Sequence, residues 1–469
     1  MSSLFATLQN AASTLNVFDK AIGVVQNNVS NSSTPGYAVQ QVNLVDTLLG
    51  GVASGPIGNS RSDAAEQSVW NRNAPLGAAM AEASNLASIQ SQFDVTGQSG
   101  IPAALSALYS SFSSFSTSPS DTPARNGVIS AAQQVVQKFN QLTSSLQSSV
   151  QQVNQQLSSS VSQINQVASK IVAINVQMRN GGTSSGLQTQ LYNALQQLSN
   201  LTPISVNVGL NGTVTVLMNG QVPLVSGDAQ TQLQVSYPSF ASPAVTGGMP
   251  TAHIETSRGQ DVTSLSGGGQ LGGLLQVRNS TLPALIGDEN QQGSLNQLAQ
   301  SLADRVNSIL TAGQVSAGPP AVSGTPLFSY DTSKPSAVAS TLSLDPNITA
   351  STLAAIQPGP PVVGNGAAAQ LAALQDPSSS ADKINGLSYT SFYSQIASDL
   401  GTQASGASEA QSTQTDLLNQ ADGMRTQISG VSLDEQAAQL LQYQQAYQAS
   451  SKLISVVNDM MQTLMDMVR

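Results

Sequence analysis

The stretch 432–468, SLDEQAAQLLQYQQAYQASSKLISVVNDMMQTLMDMV, predicts one long helix with an apolar stripe. It contains neither glycine nor proline, and Ser432 followed by Glu435 fits a capping box at the start of a helix. Every seventh residue from Leu433 is apolar, as in a coiled coil. The helix cannot cover this stripe by itself and needs a partner. We call the stripe the C-terminal seam: Leu433, Leu440, Tyr443, Tyr447, Ile454, Val457, Met461, Leu464 and Val468.

A matching stripe lies at the other end of the chain, where apolar residues are spaced alternately by four and three positions. We call it the N-terminal seam: Leu4, Leu8, Ala11, Leu15, Phe18, Ile22, Val25 and Val29. We expect the two seams to pair with each other and, in an assembly, with copies of the same chain. The alternative is that both helices pack on the middle of the chain.

The composition favours assembly over catalysis or nucleic-acid binding. Only 9% of the residues are charged, against about 25% in typical globular proteins, so few charges oppose close packing of identical subunits. The net charge is −10. Without a cluster of Lys and Arg, the chain lacks the usual means of binding phosphates or an anionic membrane surface.

Catalytic and metal-binding side chains are scarce. The chain has no cysteine and one histidine, His253, which excludes thiolate zinc sites, Cys–His nucleophiles and clusters of several histidines. We interpret His253 and Glu255 as a surface pair on a strand, and Asp288 with Glu289 as part of a solvated face. We therefore predict no enzyme activity, no cofactor and no metal site.

Between the seams, the pattern predicts a mainly α protein with a small inserted β domain. Helical spacing dominates, and we interpret Trp70 as a packing anchor. After Pro203 the apolar period changes to two, and Asn219-Gly220 is a hairpin turn signal. The Gly-rich stretch 50–58 reads as a linker or loop.

This organisation predicts three domains. A terminal coiled-coil assembly domain comprises 1–45 and 425–469, and a helical rod domain comprises 46–200 and 266–424. The inserted β domain covers 201–265. The N- and C-terminal parts of the chain together form the helical bundle.

Both ends resemble a known family, the axial proteins of the bacterial flagellum. Residues 27–37, NNVSNSSTPGY, resemble the family's N-terminal signature, and 432–449 is similar to the C-terminus of the first hook-associated proteins, which form the hook–filament junction. Stretches 118–132, 153–178 and 271–275 favour that branch. The signature residues are Asn27, Asn28, Asn31, Pro35, Gly36 and Tyr37. Ala38-Val39, which follow them, depart from the usual family pattern.

The resemblance implies a junction or adapter protein that assembles through its terminal helices. It implies export through the flagellar type III apparatus, in line with an N-terminus unlike a signal peptide, and a cytoplasmic chaperone on the C-terminal seam. The implied partners are copies of itself, hook protein, and the second hook-associated protein or filament subunits. The implied location is extracellular, at the hook–filament junction, after a transient cytoplasmic stage. No apolar run reaches the ~20 residues of a membrane span.

Three alternatives stay open at this point, one of which is an enzyme of unrecognised type, for which the sequence offers no candidate residues. The chain could be another flagellar axial protein, namely a hook, rod or second hook-associated protein. It could also be a secreted coiled-coil effector or adhesin that resembles the axial family only in its helices.

Overall fold

The fold is built mainly from helices. The structure, a computed structural model, describes residues 2–34, 36–47, 51–94, 97–182, 184–209, 211–238 and 245–467. A π-helical segment, Val277–Thr281, joins the helices Gly269–Gln276 and Leu282–Ile286. The helices are α1 Ser2–Ser30, α2 Asp63–Gln90, α3 Gly100–Thr117, α4 Thr122–Gly181, α5 Ser185–Leu201, α6 Gly269–Gln276, α7 Leu282–Ile286, α8 Ser294–Ala312, α9 Val338–Thr341, α10 Gly366–Ala373, α11 Tyr389–Ser429 and α12 Leu433–Met467.

The strands are short and antiparallel. One sheet has four strands in the order β3-β4-β5-β6, and the other sheets are the pairs β1–β2, β7–β8, β9–β10 and β11–β12. The strands are β1 Gln40–Thr47, β2 Gly51–Asn59, β3 Ile204–Val208, β4 Val214–Met218, β5 Val222–Ser226, β6 Ala229–Gln230, β7 Leu233–Ser236, β8 His253–Thr256, β9 Gln314–Ser316, β10 Val322–Ser323, β11 Phe328–Ser329 and β12 Ser343–Leu344.

The contacts divide the chain into two compact units. The first comprises Met1–Pro75, Gln166–Thr231 and Gln414–Arg469, and the second comprises Leu76–Asn165 and Gln232–Thr413. Three of the four boundaries fall inside α2, α4 and α11, and the fourth lies between β6 and β7. The strands of 201–265 belong to both units, since β3 to β6 lie in the first and β7 and β8 in the second. The predicted division into three domains stays a prediction.

The helical spacing of apolar residues in the sequence accounts for the hydrophobic core. In α4, residues such as Leu146, Val153 and Leu157 repeat at helical spacing and are almost completely buried. The predicted mainly α fold with a small β insertion is confirmed. The predicted turn between β4 and β5 is present as well, because Asn219 (φ 47°) and Gly220 (φ 71°) both adopt the left-handed backbone that a type I′ turn requires.

The sequence-based expectations for two segments, 50–58 and 288–289, are wrong. The stretch 50–58 is no linker, because residues from Gly51 onward form β2, which pairs with β1 around a bulge opposite Asn43. Glycine weakens a strand but does not prevent its backbone from pairing.

Asp288 and Glu289 are buried rather than solvated. Asp288 accepts the backbone N–H groups of Asn290 and Gln291, both at 2.8 Å, and Glu289 accepts two hydrogen bonds from Thr251.

Candidate assembly surface

Helices α1 and α12 pack against each other in antiparallel orientation. The rings of Phe18 and Tyr443 lie 6.3 Å apart between their centroids. Closer to the N-terminus, Ala11 shares a groove with Ser450, and Leu4 shares another with Leu464. Residue numbers rise along one helix as they fall along the other, so the first helix and the last helix run in opposite directions.

The N-terminal seam is only partly covered. Ala11 and Val25 are buried and Val29 is exposed, whereas the other members of the seam are half-buried. A neighbouring stripe of α1, comprising Val17, Ala21, Val24 and Asn28, is buried more deeply. The hairpin β1–β2 also packs on α1, and the Val52 N–H donates to Thr14 Oγ1 at 3.4 Å. Because α1 contacts two neighbours, it buries a wider stripe than the predicted seam.

The C-terminal seam is also half-covered. Val457 is buried and Leu433 is exposed. The others that the structure describes, Leu440, Tyr443, Tyr447, Ile454, Met461 and Leu464, are half-buried. Val468 lies outside the described residues. At the start of α12, the Glu435 N–H donates to Ser432 Oγ at 3.4 Å, as the capping box predicts, although the Glu435 carboxylate accepts from Gln439.

A second apolar stripe on α12 faces solvent. Its members, Leu453, Val456, Met460 and Met467, are 49%, 45%, 52% and 73% exposed. We call them the outer stripe. The seven-residue repeat that starts at Leu433 does not include these residues. Their own spacing of three, four and seven positions is nevertheless helical. Sequence reasoning could therefore have found them as a second series.

The signature residue Asn28 is the centre of a hydrogen-bond cluster. Its side chain is fully buried and uses every donor and acceptor. Nδ2 donates to Gln436 Oε1 at 2.8 Å and to the Gln40 carbonyl at 2.9 Å. Oδ1 accepts from the Tyr37 hydroxyl at 2.7 Å and from the Gln40 N–H at 2.9 Å. Asn28 thereby joins the end of α1, the start of β1 and the first turn of α12. Burial raises the pKa of Tyr37.

The other signature residues shape the turn after α1. Asn31 Nδ2 donates to the Asn27 carbonyl at 2.9 Å, and Asn31 Oδ1 accepts from Thr34 at 3.1 Å. Gly36 has φ +70°, and a Cβ there would lie 2.4 Å from Asn193 Oδ1. The positive φ makes any other residue strained at this position, and a Cβ would also require the Asn193 side chain to move. Pro35 lies outside the described residues.

A buried charge cluster that the sequence did not reveal supports this turn. Glu66 is 2% exposed and pairs with Arg61 and, at 3.5 Å, with Arg425. Arg61 also donates to the Gly36 carbonyl at 2.6 Å, and its guanidinium lies 3.9 Å from the centroid of the Tyr192 ring. The positively charged groups compensate the buried carboxylate.

The aromatic residues beside this cluster are also buried. The Tyr192 hydroxyl donates to Asp63 at 2.9 Å. Burial raises the pKa of this hydroxyl, and the hydrogen bond to Asp63 raises it further. Trp70 is buried with its ring centroid 5.8 Å from that of Tyr192, as expected of a packing anchor.

The predicted pair of His253 with Glu255 is wrong, because His253 contacts Asp261 at 2.7 Å and the Glu255 carboxylate accepts a hydrogen bond from Ser236. Within the described residues, no group of three or more His, Cys, Asp or Glu side chains is placed to hold a metal ion. None of the helices in the described part of the chain has the length and apolar character needed to span a bilayer.

Comparison with known sequences points to the flagellum. Residues 86–328 match the family described as flagellar hook-associated protein FlgK helical domain. Residues 425–467 match the family described as flagellar basal body rod FlgEFG protein C-terminal. The second match covers all of α12.

Whole-chain relatives agree with these matches. Flagellar hook-associated protein 1 of Escherichia coli (strain K12) is 24% identical over 99% of this chain and 100% of its own length. The protein of the same name from Bacillus subtilis (strain 168) is 23% identical over 98% of both chains. The structure of the flagellar hook junction protein FlgK from Burkholderia pseudomallei covers 78% of this chain and 100% of its own, with a TM-score of 0.64 and 17% identity. This structural match shows a shared fold.

Proposed function

The chain belongs to the FlgK family of flagellar hook-associated proteins, and from that premise we propose that it joins the hook to the filament of the bacterial flagellum. The role is structural. The seams and the outer stripe carry the assembly, and 1–45 with 425–469 form the assembly domain, as the sequence predicts. The prediction that the protein has no enzyme activity remains a prediction.

The observation that carries the proposal is the exposed apolar surface of α12. The outer stripe is about half exposed or more, although α12 already packs on α1. Covering the rest of each side chain gains on the order of 1 kcal/mol, about half of the 1.5–3 kcal/mol for full burial. Repeated along the helix, this gain favours association with neighbouring subunits.

The resemblance to the family implies the partners. The neighbours on the outer stripe are copies of this chain and the adjoining hook protein. On the filament side they are the second hook-associated protein or filament subunits. Before export through the type III apparatus, a cytoplasmic chaperone covers the C-terminal seam, since a bare apolar stripe promotes aggregation. The assembled protein is extracellular, at the hook–filament junction.

A deletion strain tests the junction role. Cells without this protein should complete their hooks but release filament subunits into the medium, because filament growth then lacks its attachment. Electron microscopy of the hooks and immunoblots of the medium measure both effects, and the full-length gene on a plasmid is the control. Normal filaments in the deletion strain would rule out the proposed role.

Amide exchange tests whether the seams become ordered on assembly. In the isolated chain, α1 and α12 should exchange faster than α8, because their stripes lack the neighbours that protect them. In sheared flagella, the same amides should become protected. Equal protection of all three helices in the isolated chain would contradict assembly-linked ordering while leaving the junction role standing.

A further inference from the structure

The apolar seams of α1 and α12 do not by themselves determine how the two helices align. Along α12 the positions that face α1 follow one another by three and four residues, so a slip of one turn, about 5.4 Å, moves each residue to the place of the next. Leu433 would then stand where Gln436 stands, and Leu440 where Tyr443 stands. Most apolar side chains would again meet apolar side chains. The aligned and slipped registers would therefore differ little in apolar burial.

The covalent chain does not forbid this slip. Only residues 430–432 separate α11 from α12. Unwinding three residues at the end of α11 would lengthen the connection by about 5.4 Å, because an extended residue spans about 3.3 Å and a helical residue about 1.5 Å. Leu433, which is 55% exposed, would become covered in the slipped register.

One polar pair distinguishes the two registers. Asn28 and Gln436 are 0% and 2% exposed and are joined at 2.8 Å. The other bonds of Asn28, to Gln40 and Tyr37, fix its orientation from within residues 28–40, so one N–H points at α12. In the slipped register that N–H meets Leu433, which has no acceptor, and the Gln436 amide moves to the apolar position of Leu440. A buried polar group without a partner is unfavourable.

We infer that the Asn28–Gln436 hydrogen bond is a register lock, which specifies the alignment of α1 with α12. A single polar residue in an apolar seam has this effect in coiled coils. The register lock rests on the proposed assembly role, because alignment of the two helices sets the position of the outer stripe that neighbouring subunits must recognise.

Disulfide cross-linking measures the register directly, because the chain has no cysteine of its own. Ala11 and Ser450 line the two walls of one groove. The Ala11→Cys/Ser450→Cys pair reports the observed register, and Ala11→Cys/Tyr447→Cys reports the slipped one, in which residue 447 takes the place of residue 450. Both pairs are made in the full chain and oxidised in the isolated protein and in sheared flagella.

With Gln436 present, the first pair should cross-link about tenfold more than the second, the ratio expected when one buried amide loses its hydrogen bond. In Gln436→Leu, Asn28 lacks an acceptor in both registers, so the ratio should fall to about one. Gln436→Met, which keeps the side-chain length, provides the same test if the leucine variant does not fold.

The matched control is Gln442→Leu, the same change at an exposed position of α12, which should keep the tenfold ratio. A ratio that Gln436→Leu and Gln436→Met leave unchanged would overturn the lock, and so would an equal fall in the control. Absence of even the unsubstituted chain from sheared flagella would instead contradict the junction role.

Discussion

Helices α8 and α12 are both amphipathic, but only α8 is covered by its own chain. Nine of the 19 residues of α8 are buried, whereas only Gln436 and Val457 are buried among the 35 residues of α12. The apolar residues of α8 find partners within the second compact unit. Those of α12 are left half-exposed in the first unit. The same type of sequence pattern thus builds a core in one region and an unsatisfied surface in the other.

The largest expected effect comes from removing the unsatisfied surface. A chain that ends at Leu453 lacks most of the outer stripe and half of the C-terminal seam. We expect it to remain soluble and folded in the second unit, yet to fail completely to restore swimming in a deletion strain. Motility assays and the protein content of sheared flagella measure the loss.

The full-length chain expressed to the same level is the control for the truncation. Restored motility with the truncated chain would show that the C-terminal part of α12 is dispensable for assembly. The exposed apolar surface of α12 would then have no role in joining subunits.

Single substitutions make the comparison quantitative. Leu302 in α8 is 0% exposed and Leu453 in α12 is 49% exposed. Leu302→Ala should lower the free energy of unfolding by about 2–5 kcal/mol, and Leu453→Ala should lower it by less than about 1 kcal/mol. Denaturant unfolding of the isolated chains measures both. Incorporation of the protein into flagella should show the opposite order. For each kcal/mol of stability lost, Leu453→Ala should reduce the amount of protein in sheared flagella more than Leu302→Ala does.

Much of this contrast is accessible from the sequence. The seven-residue repeat predicts α12 and its apolar seam, and the Asn219-Gly220 turn predicts the hairpin of β4 and β5, because these signals are local. The pairing of Asn28 with Gln436 joins residues 408 positions apart, and no local pattern reveals it. The contact of Glu66 with Arg425 joins residues 359 positions apart, and it too is not revealed by a local pattern. Burial of Asp288 likewise depends on a segment that is distant in sequence.

The Asn28 cluster is a fully buried polar contact between α1 and α12, and its loss should destabilise the protein. Asn28→Ala leaves the N–H and carbonyl of Gln40 without partners in a buried site. Each such group costs about 1–3 kcal/mol, so we expect the unfolding free energy to fall by roughly 2–6 kcal/mol. The exposed neighbour supplies the control, since Asn27→Ala should change it by less than about 0.5 kcal/mol. Equal effects would mean that the cluster contributes nothing specific.

The smallest expected effects have opposite signs at two glycines near α1. Gly36 adopts φ +70°, and a Cβ would lie 2.4 Å from Asn193 Oδ1, whereas a Cβ at Gly23 meets nothing within 4 Å. Gly36→Ala should therefore destabilise the protein by about 1–3 kcal/mol. Gly23→Ala, inside α1, should stabilise it by about 0.5–1 kcal/mol because alanine loses less backbone entropy in a helix. Thermal unfolding compares them, and two shifts of the same sign would contradict the assignment of Gly36 as a conformational requirement of the turn.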